Sequence, residues 1–226
     1  MPTNVLVVYY SSYGHVFRMA QAVAEGVRSV ADTEVKLRRI PELEAARLAM
    51  WSQPWYVKSQ QAQREVPEVS HDDLRWADGI CWGTPTRYGN MSAQMKQFLD
   101  SLGAIWQKGE LEDKPAGVFT STANTQGGHE TTILSTMAPL LHFGMALVGT
   151  PYGQNPQIMT TDLIGSSPYG PGTIAGGDGS LQPVEADLQT ARNLGARVAR
   201  FGCALKSLCA QTPHGQQPEA PQYQAA

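Results

Sequence analysis

A doubly wound α/β sheet of five parallel strands, with helices on both faces, is the fold predicted by this sequence of 226 residues. Three observations carry the prediction. Short β-branched and aromatic runs alternate along the chain with segments whose apolar residues recur at helical spacing. Several runs are almost continuously apolar, as strands buried on both faces are. Three of them lead directly into loops rich in Ser, Thr, Gly and Asn. In open α/β sheets, ligands bind at such carboxyl-end loops.

The elements follow in order. Residues 4–10 (NVLVVYY) read as a central strand. Val16, Met19, Ala20, Val23 and Val27 then share one helical face, predicting a helix over 15–30. Residues 33–40 alternate Val35 and Leu37 with charge, which suits a strand nearer the sheet edge. Residues 41–77 read as a long excursion with a short helix, a length often associated with function or partners. Residues 78–84 (DGICWGT) form a third strand, and Met91, Met95, Phe98, Leu99 and Leu102 mark the helix after it. Residues 115–121 (PAGVFTS) are a fourth strand, followed by a helix through Ile133, Leu134, Met137, Leu140 and Leu141. Residues 145–149 (MALVG) are a fifth. Residues 151–183 are rich in Gly, Pro and Ser without a period; Leu188 to Leu205 make a closing helix. One domain is expected over 1–208, with a disordered tail over 209–226, where almost nothing can be buried. The strand order 2-1-3-4-5 is that of flavodoxin-like sheets, with the ligand above strands one and three.

Composition excludes several classes. With 17 Lys+Arg against 20 Asp+Glu the net charge is -3, so no basic field for nucleic acid is expected. Cys81, Cys203 and Cys209 form neither a disulfide framework nor a zinc-finger spacing, which favours a reducing compartment, the cytoplasm. Residues 1–10 show no signal-peptide pattern, and no apolar run approaches the roughly 18 residues of a membrane span. The GxGxxA pattern at Gly170 follows no strand, and His129-Glu130 lacks metal-ligand spacing, so no metal is expected.

Chemistry is concentrated in the loops. Ser11-Ser12-Tyr13-Gly14-His15-Val16 opens the first helix. Helix-terminal N–H groups with serine hydroxyls make an anion cradle, and alone this loop is equally well read as an ordinary N-cap. Hydrogen bonds to a charged group, about 1.5–3 kcal/mol each, would outweigh the about 0.3–1 kcal/mol of the helix dipole. Thr86-Arg87-Tyr88-Gly89-Asn90 follows the third strand and offers donors for one edge of a flavin ring, with Tyr88 to flank it. Ser121-Thr122-Ala123-Asn124-Thr125-Gln126-Gly127 follows the fourth, with small residues that let backbone approach a planar ligand. Tyr13 lies inside the first loop. Trp106 and His142 end helices, where a tryptophan is usually core or interface and a histidine usually a cap.

Tyr9-Tyr10-Ser11-Ser12-Tyr13-Gly14-His15, the run from Gly83 to Met91, and the run from Pro168 to Ser180 together resemble the WrbA family of FMN-dependent NAD(P)H:quinone oxidoreductases. The resemblance extends from about Asn4 to about Leu205. It implies FMN as cofactor, its phosphate on residues 11–16 and its ring on Thr86, Arg87 and Tyr88 and on the loop from Ser121. It implies a flavin-contacting His142, a Tyr13 that meets the nicotinamide, and a Trp106 that walls the quinone pocket. It implies a homotetramer with flavin sites near subunit contacts, and a ping-pong reaction in which NADH or NADPH gives a hydride to flavin N5 before a quinone takes it. The third loop departs from the family by one extra residue and fewer glycines. A flavodoxin-type single-electron carrier and a regulatory protein acting through a partner are the alternatives.

Overall fold

The computed structural model describes residues 1–211, with side chains through Ser207. Five parallel strands form one sheet in the order β2-β1-β3-β4-β5. They are β1 (Thr3–Tyr9), β2 (Thr33–Arg39), β3 (Gly79–Pro85), β4 (Pro115–Ser121) and β5 (Ala146–Leu147). The helices are α1 (His15–Arg28), α2 (Glu44–Met50), α3 (Pro54–Gln63), α4 (His71–Trp76), α5 (Ala93–Asp100), α6 (Gly103–Gln107), α7 (His129–His142) and α8 (Glu185–Gln211).

Strand alternation splits the core into two layers. Leu6, Val8, Ile80 and Trp82 face α4, α5 and α7 through Leu74, Met95, Leu99, Ile133 and Leu140. Val5, Val7, Tyr9 and Phe119 face α1 and α8 through Val16, Met19, Val23, Leu194 and Val198. Each such side chain contributes about 1.5–3 kcal/mol when fully buried. α1 and α8 approach closely at a glycine on each helix: a Cβ on Gly26 would lie 1.8 Å from the Arg192 carbonyl oxygen, and one on Gly195 would lie 2.0 Å from the Val23 carbonyl oxygen.

Three sequence expectations change here. The excursion holds three helices, α2 to α4, rather than one. β5 keeps only two residues: Val148 N–H makes a last bond to the Ala116 carbonyl of β4, and Thr150 N–H already bonds to the Pro168 carbonyl instead. α8 runs to Gln211, three residues into the stretch expected as a tail. The rest of that stretch, 212–226, lies outside the described residues. Among the described residues, no helix is long and apolar enough to cross a membrane.

Candidate active site

A cleft of about 810 Å³ opens at the carboxyl edge of the sheet. That volume suits a cofactor-sized ligand, since such sites span about 300–1,000 Å³. The first loop lines it completely: Ser11, Ser12, Tyr13, Gly14, His15 and Val16. So do Thr86 and Arg87 after β3, Ser121 at the end of β4, and Thr122 and Ala123 just beyond it.

The first loop has the form of an anion cradle. Gly14 sits at φ +96 in the left-handed region, donates its N–H to Ser11 Oγ at 3.1 Å, and begins α1. No side chain caps α1 and no acidic residue stands in its first turn, so its leading N–H groups carry no competing carboxylate. The loop's carbonyls are tied off from the other side. Gln60 Nε2 donates to the Ser11 and Ser12 oxygens at 3.1 and 3.2 Å, and Gln63 Nε2 to the Ser11 oxygen at 3.2 Å. Negative ends are thereby held by α3.

His15 acts behind this loop. Its Nε2 lies 2.9 Å from the Leu181 carbonyl oxygen, and burial holds its pKa below the ordinary value. The ring is therefore neutral at pH 7, with its proton on Nε2, and fastens residues 175–181 to the first loop.

Arg87 links the loop after β3 to the loop after β1, donating from Nη2 to Ser12 Oγ at 2.9 Å. Ser12 in turn donates to the Tyr10 hydroxyl (3.0 Å), which donates to Glu42 Oε2 (2.6 Å). Tyr56 and Gln94 also donate to the Glu42 carboxylate. Burial and the Glu42 hydrogen bond push the Tyr10 pKa up, so it remains a phenol. Thr86 is spent locally: its hydroxyl accepts from Gly89 N–H and from Thr132.

Several predicted residues stand elsewhere. Tyr88 and Gly89 both have positive φ, at the tip of a two-residue turn closed by Arg87 and Asn90. Tyr88 thus projects into solvent and does not flank the cleft in this chain. Gly89 and Asn90 shape that turn without lining the cleft, and Asn90 Oδ1 accepts from Met91 N–H. Asn124, Thr125, Gln126 and Gly127 also lie outside the cleft lining. Thr125 and Gln126 border a separate hollow of about 320 Å³.

Trp106 and His142 lie at the opposite edge. His142 precedes Gly144, whose carbonyl accepts from Asp113 N–H just before β4, and Ala146 N–H bonds to the Lys114 carbonyl. Trp106 ends α6 on the approach to the same edge, and neither residue lines the cleft. The seven residues of β4 separate that edge from Ser121 by about 20 Å at about 3.3 Å per residue. Within one chain, these two side chains do not join Tyr13.

The structure adds residues that sequence reasoning missed. Gln53, Trp55, Lys58 and Ser59 from the excursion, Arg18 of α1, and residues 175–179 all line the cleft. The last segment lies beside β4, with Thr122 N–H bonded to the Thr173 oxygen and Ala175 N–H to the Thr122 oxygen. Its motif was visible in the sequence; its placement required the partner strand.

Asp187 anchors the approach to that segment, accepting from Gly165 N–H at 3.1 Å and Ser166 Oγ at 2.9 Å. Burial raises its pKa from 3.8 to about 6. The folded state therefore holds this proton more tightly than the unfolded chain. The associated stability is present near pH 4 and is lost as pH rises through about 6. Urea midpoints measured from about pH 4 to about pH 7 should show D187N flattening that fall relative to wild type. Parallel pH profiles would remove Asp187 from this role.

The family model for NADPH-dependent FMN reductases matches residues 3–157. An NAD(P)H dehydrogenase (quinone) of Aromatoleum aromaticum is 50% identical over 202 residues, covering 89% of this chain and 97% of that protein. One from Geobacter sulfurreducens is also 50% identical, covering 89% and 98%. Among solved structures, the flavodoxin, WrbA-like protein from Agrobacterium tumefaciens aligns with a TM-score of 0.62 at 29% identity, covering 89% of this chain and 98% of that one. A flavodoxin from the domain Archaea, at 18% identity and a TM-score of 0.56, shares the fold.

Proposed function

The chain belongs to the NADPH-dependent FMN reductase family, among its WrbA-type quinone reductases, and on that basis we propose that it reduces quinones to hydroquinones with NADH or NADPH through bound FMN. The observation that carries this reading is the uncapped α1 terminus behind Gly14, opening into a cleft that Arg87 also lines. Those residues fit FMN: an amide cradle for a phosphate, and a cationic donor beside small residues for a ring.

When bound, FMN supplies the hydride acceptor and donor between nicotinamide and quinone. The chain supplies position and charge. Residues 11–16 hold the phosphate, with Gln60 and Gln63 keeping loop carbonyls turned away. Arg87, held by Ser12, presents positive charge to the ring side of the cleft, where it favours an electron-rich ligand. Residues 121–123 give backbone access to that ring. Tyr13, half exposed at the rim with its hydroxyl 2.9 Å from Gln53 Oε1, offers an aromatic wall to the nicotinamide. One cleft serves both substrates in turn, so initial-rate plots at several fixed quinone concentrations should give parallel double-reciprocal lines. Intersecting lines, or no rate with either nucleotide, would count against the proposal.

We place the enzyme in the cytoplasm as a homotetramer. Trp106 and His142, remote from the cleft of their own chain, would act on the cleft of another copy. W106A should then raise the quinone KM more than it weakens FMN binding, and H142A should slow turnover or loosen flavin. Wild-type kinetics in both variants would confine these side chains to structural roles.

A further inference from the structure

The cleft extends past the first loop into a limb between two helices. Gly14 at the N-cap of α1 lines it with Arg18 and Gln21 of that helix, and Trp55, Lys58 and Ala62 line it from α3. Each set is spaced by three and four residues, so each forms a single helix face. Strand order separates this limb from the ring-binding side. α3 leads back to β2, since Arg39 donates from Nε to the Val66 oxygen just beyond it, whereas residues 86–87 and 121–123 stand above β3 and β4. β2 and β3 flank β1 on opposite sides.

The limb has a particular chemistry. Trp55 is 63% exposed, which leaves its indole available as a flat apolar platform. Lys58 Nζ stands 5.6 Å from that ring centroid. Arg18 is exposed and, like side chains of helices generally, leans back toward the helix N-terminus. Among the described residues neither cation has a carboxylate partner in an ion pair. The cleft's acidic side chain, Asp178, is turned onto Ser180 N–H and Oγ.

Resting on the quinone-reductase reading, we infer that this limb binds the adenosine end of the pyridine nucleotide. Trp55 stacks the adenine, and Arg18 with Lys58 grips a phosphate monoester on its ribose, giving a preference for NADPH over NADH. An aromatic plane serves a base, and a guanidinium fork with an ammonium serves a dianion. The phosphate of FMN is provided for separately by the backbone N–H groups of the first loop. Exposed cations at the rim suit a substrate that must arrive and leave.

The test uses the FMN-loaded protein. Calorimetric titration should show adenosine 2′,5′-bisphosphate binding more tightly than AMP, and R18A/K58A should abolish the difference. The ratio of kcat/KM for NADPH to that for NADH should fall about 10-fold or more in the same variant, as losing one charge-assisted hydrogen bond implies. W55A should weaken both adenine nucleotides. Equal binding of the two probes by wild type overturns the inference. So does loss of FMN but not riboflavin affinity in R18A/K58A, which would assign these cations to the cofactor. So does a W55A variant that sediments differently yet binds nucleotide normally, which would make Trp55 a subunit contact. Failure of the quinone-reductase reading is distinct, since neither nucleotide would then be oxidised.

Discussion

G14V should raise the FMN dissociation constant by about 100-fold or more, corresponding to two lost charge-assisted hydrogen bonds of about 1.5 kcal/mol each. The left-handed φ of +96 at Gly14 aims the loop N–H groups and α1 at the same point. A β-branched residue there costs about 1–3 kcal/mol of backbone strain, which the loop relieves by moving. A Cβ would also stand 3.4 Å from Ser59 Oγ, an ordinary contact that the larger valine side chain turns into a shift of α3. Since Ser59 Oγ accepts from Gln63 at 2.8 Å, that shift disturbs the brace on the Ser11 carbonyl as well. Riboflavin, which lacks the phosphate, should lose much less affinity. Equal losses for FMN and riboflavin, measured by quenching of flavin fluorescence, would show that the loop does not hold the phosphate.

The largest effect on stability is expected where α1 crosses α8. A Cβ at Gly26 meets the Arg192 carbonyl oxygen at 1.8 Å, and one at Gly195 meets the Val23 carbonyl oxygen at 2.0 Å. Both obstacles are backbone, so no side-chain rotation relieves them and the helices must separate. Separation loosens the packing of Leu194 and Val198 against Val16, Met19 and Val23. Overpacking typically costs about 1–3 kcal/mol and occasionally more, and this site belongs at the upper end, a large share of the about 5–15 kcal/mol that holds a domain. G26A and G195A should each lower the urea midpoint accordingly. One separation accommodates both methyls, so the double variant should cost less than the sum. Additive losses would mean that each glycine is tight for an unrelated reason.

Much of this architecture could be read from the residues. β4 occupies the expected positions 115–121, and the loop after β1 opens α1 at His15 as expected. Continuous apolar runs and helical periods made those elements visible. The excursion was harder because the buried face of α3 consists of Tyr56, Ser59 and Gln63. A face that is polar because it braces a loop leaves no hydrophobic period to detect. Hence Trp55, Lys58 and Ser59 escaped the candidate site. Tyr88 stands outside the cleft lining because Arg87 and Asn90 close a two-residue turn whose tip, Tyr88 and Gly89, has positive φ and carries the Tyr88 side chain outward. Trp106 and His142 carried a neglected signal. A helix that begins at the carboxyl edge of a parallel sheet returns to the amino edge, so a residue at its far end cannot reach the ligand of its own chain.

An anaerobic titration of the FMN-loaded protein, followed by its flavin absorbance, bears most directly on the cleft's purpose. Equimolar NADPH or NADH should bleach the flavin fully, and benzoquinone should restore it fully. Bound flavin that neither nucleotide bleaches, or that quinone fails to restore, would contradict quinone reduction at this site.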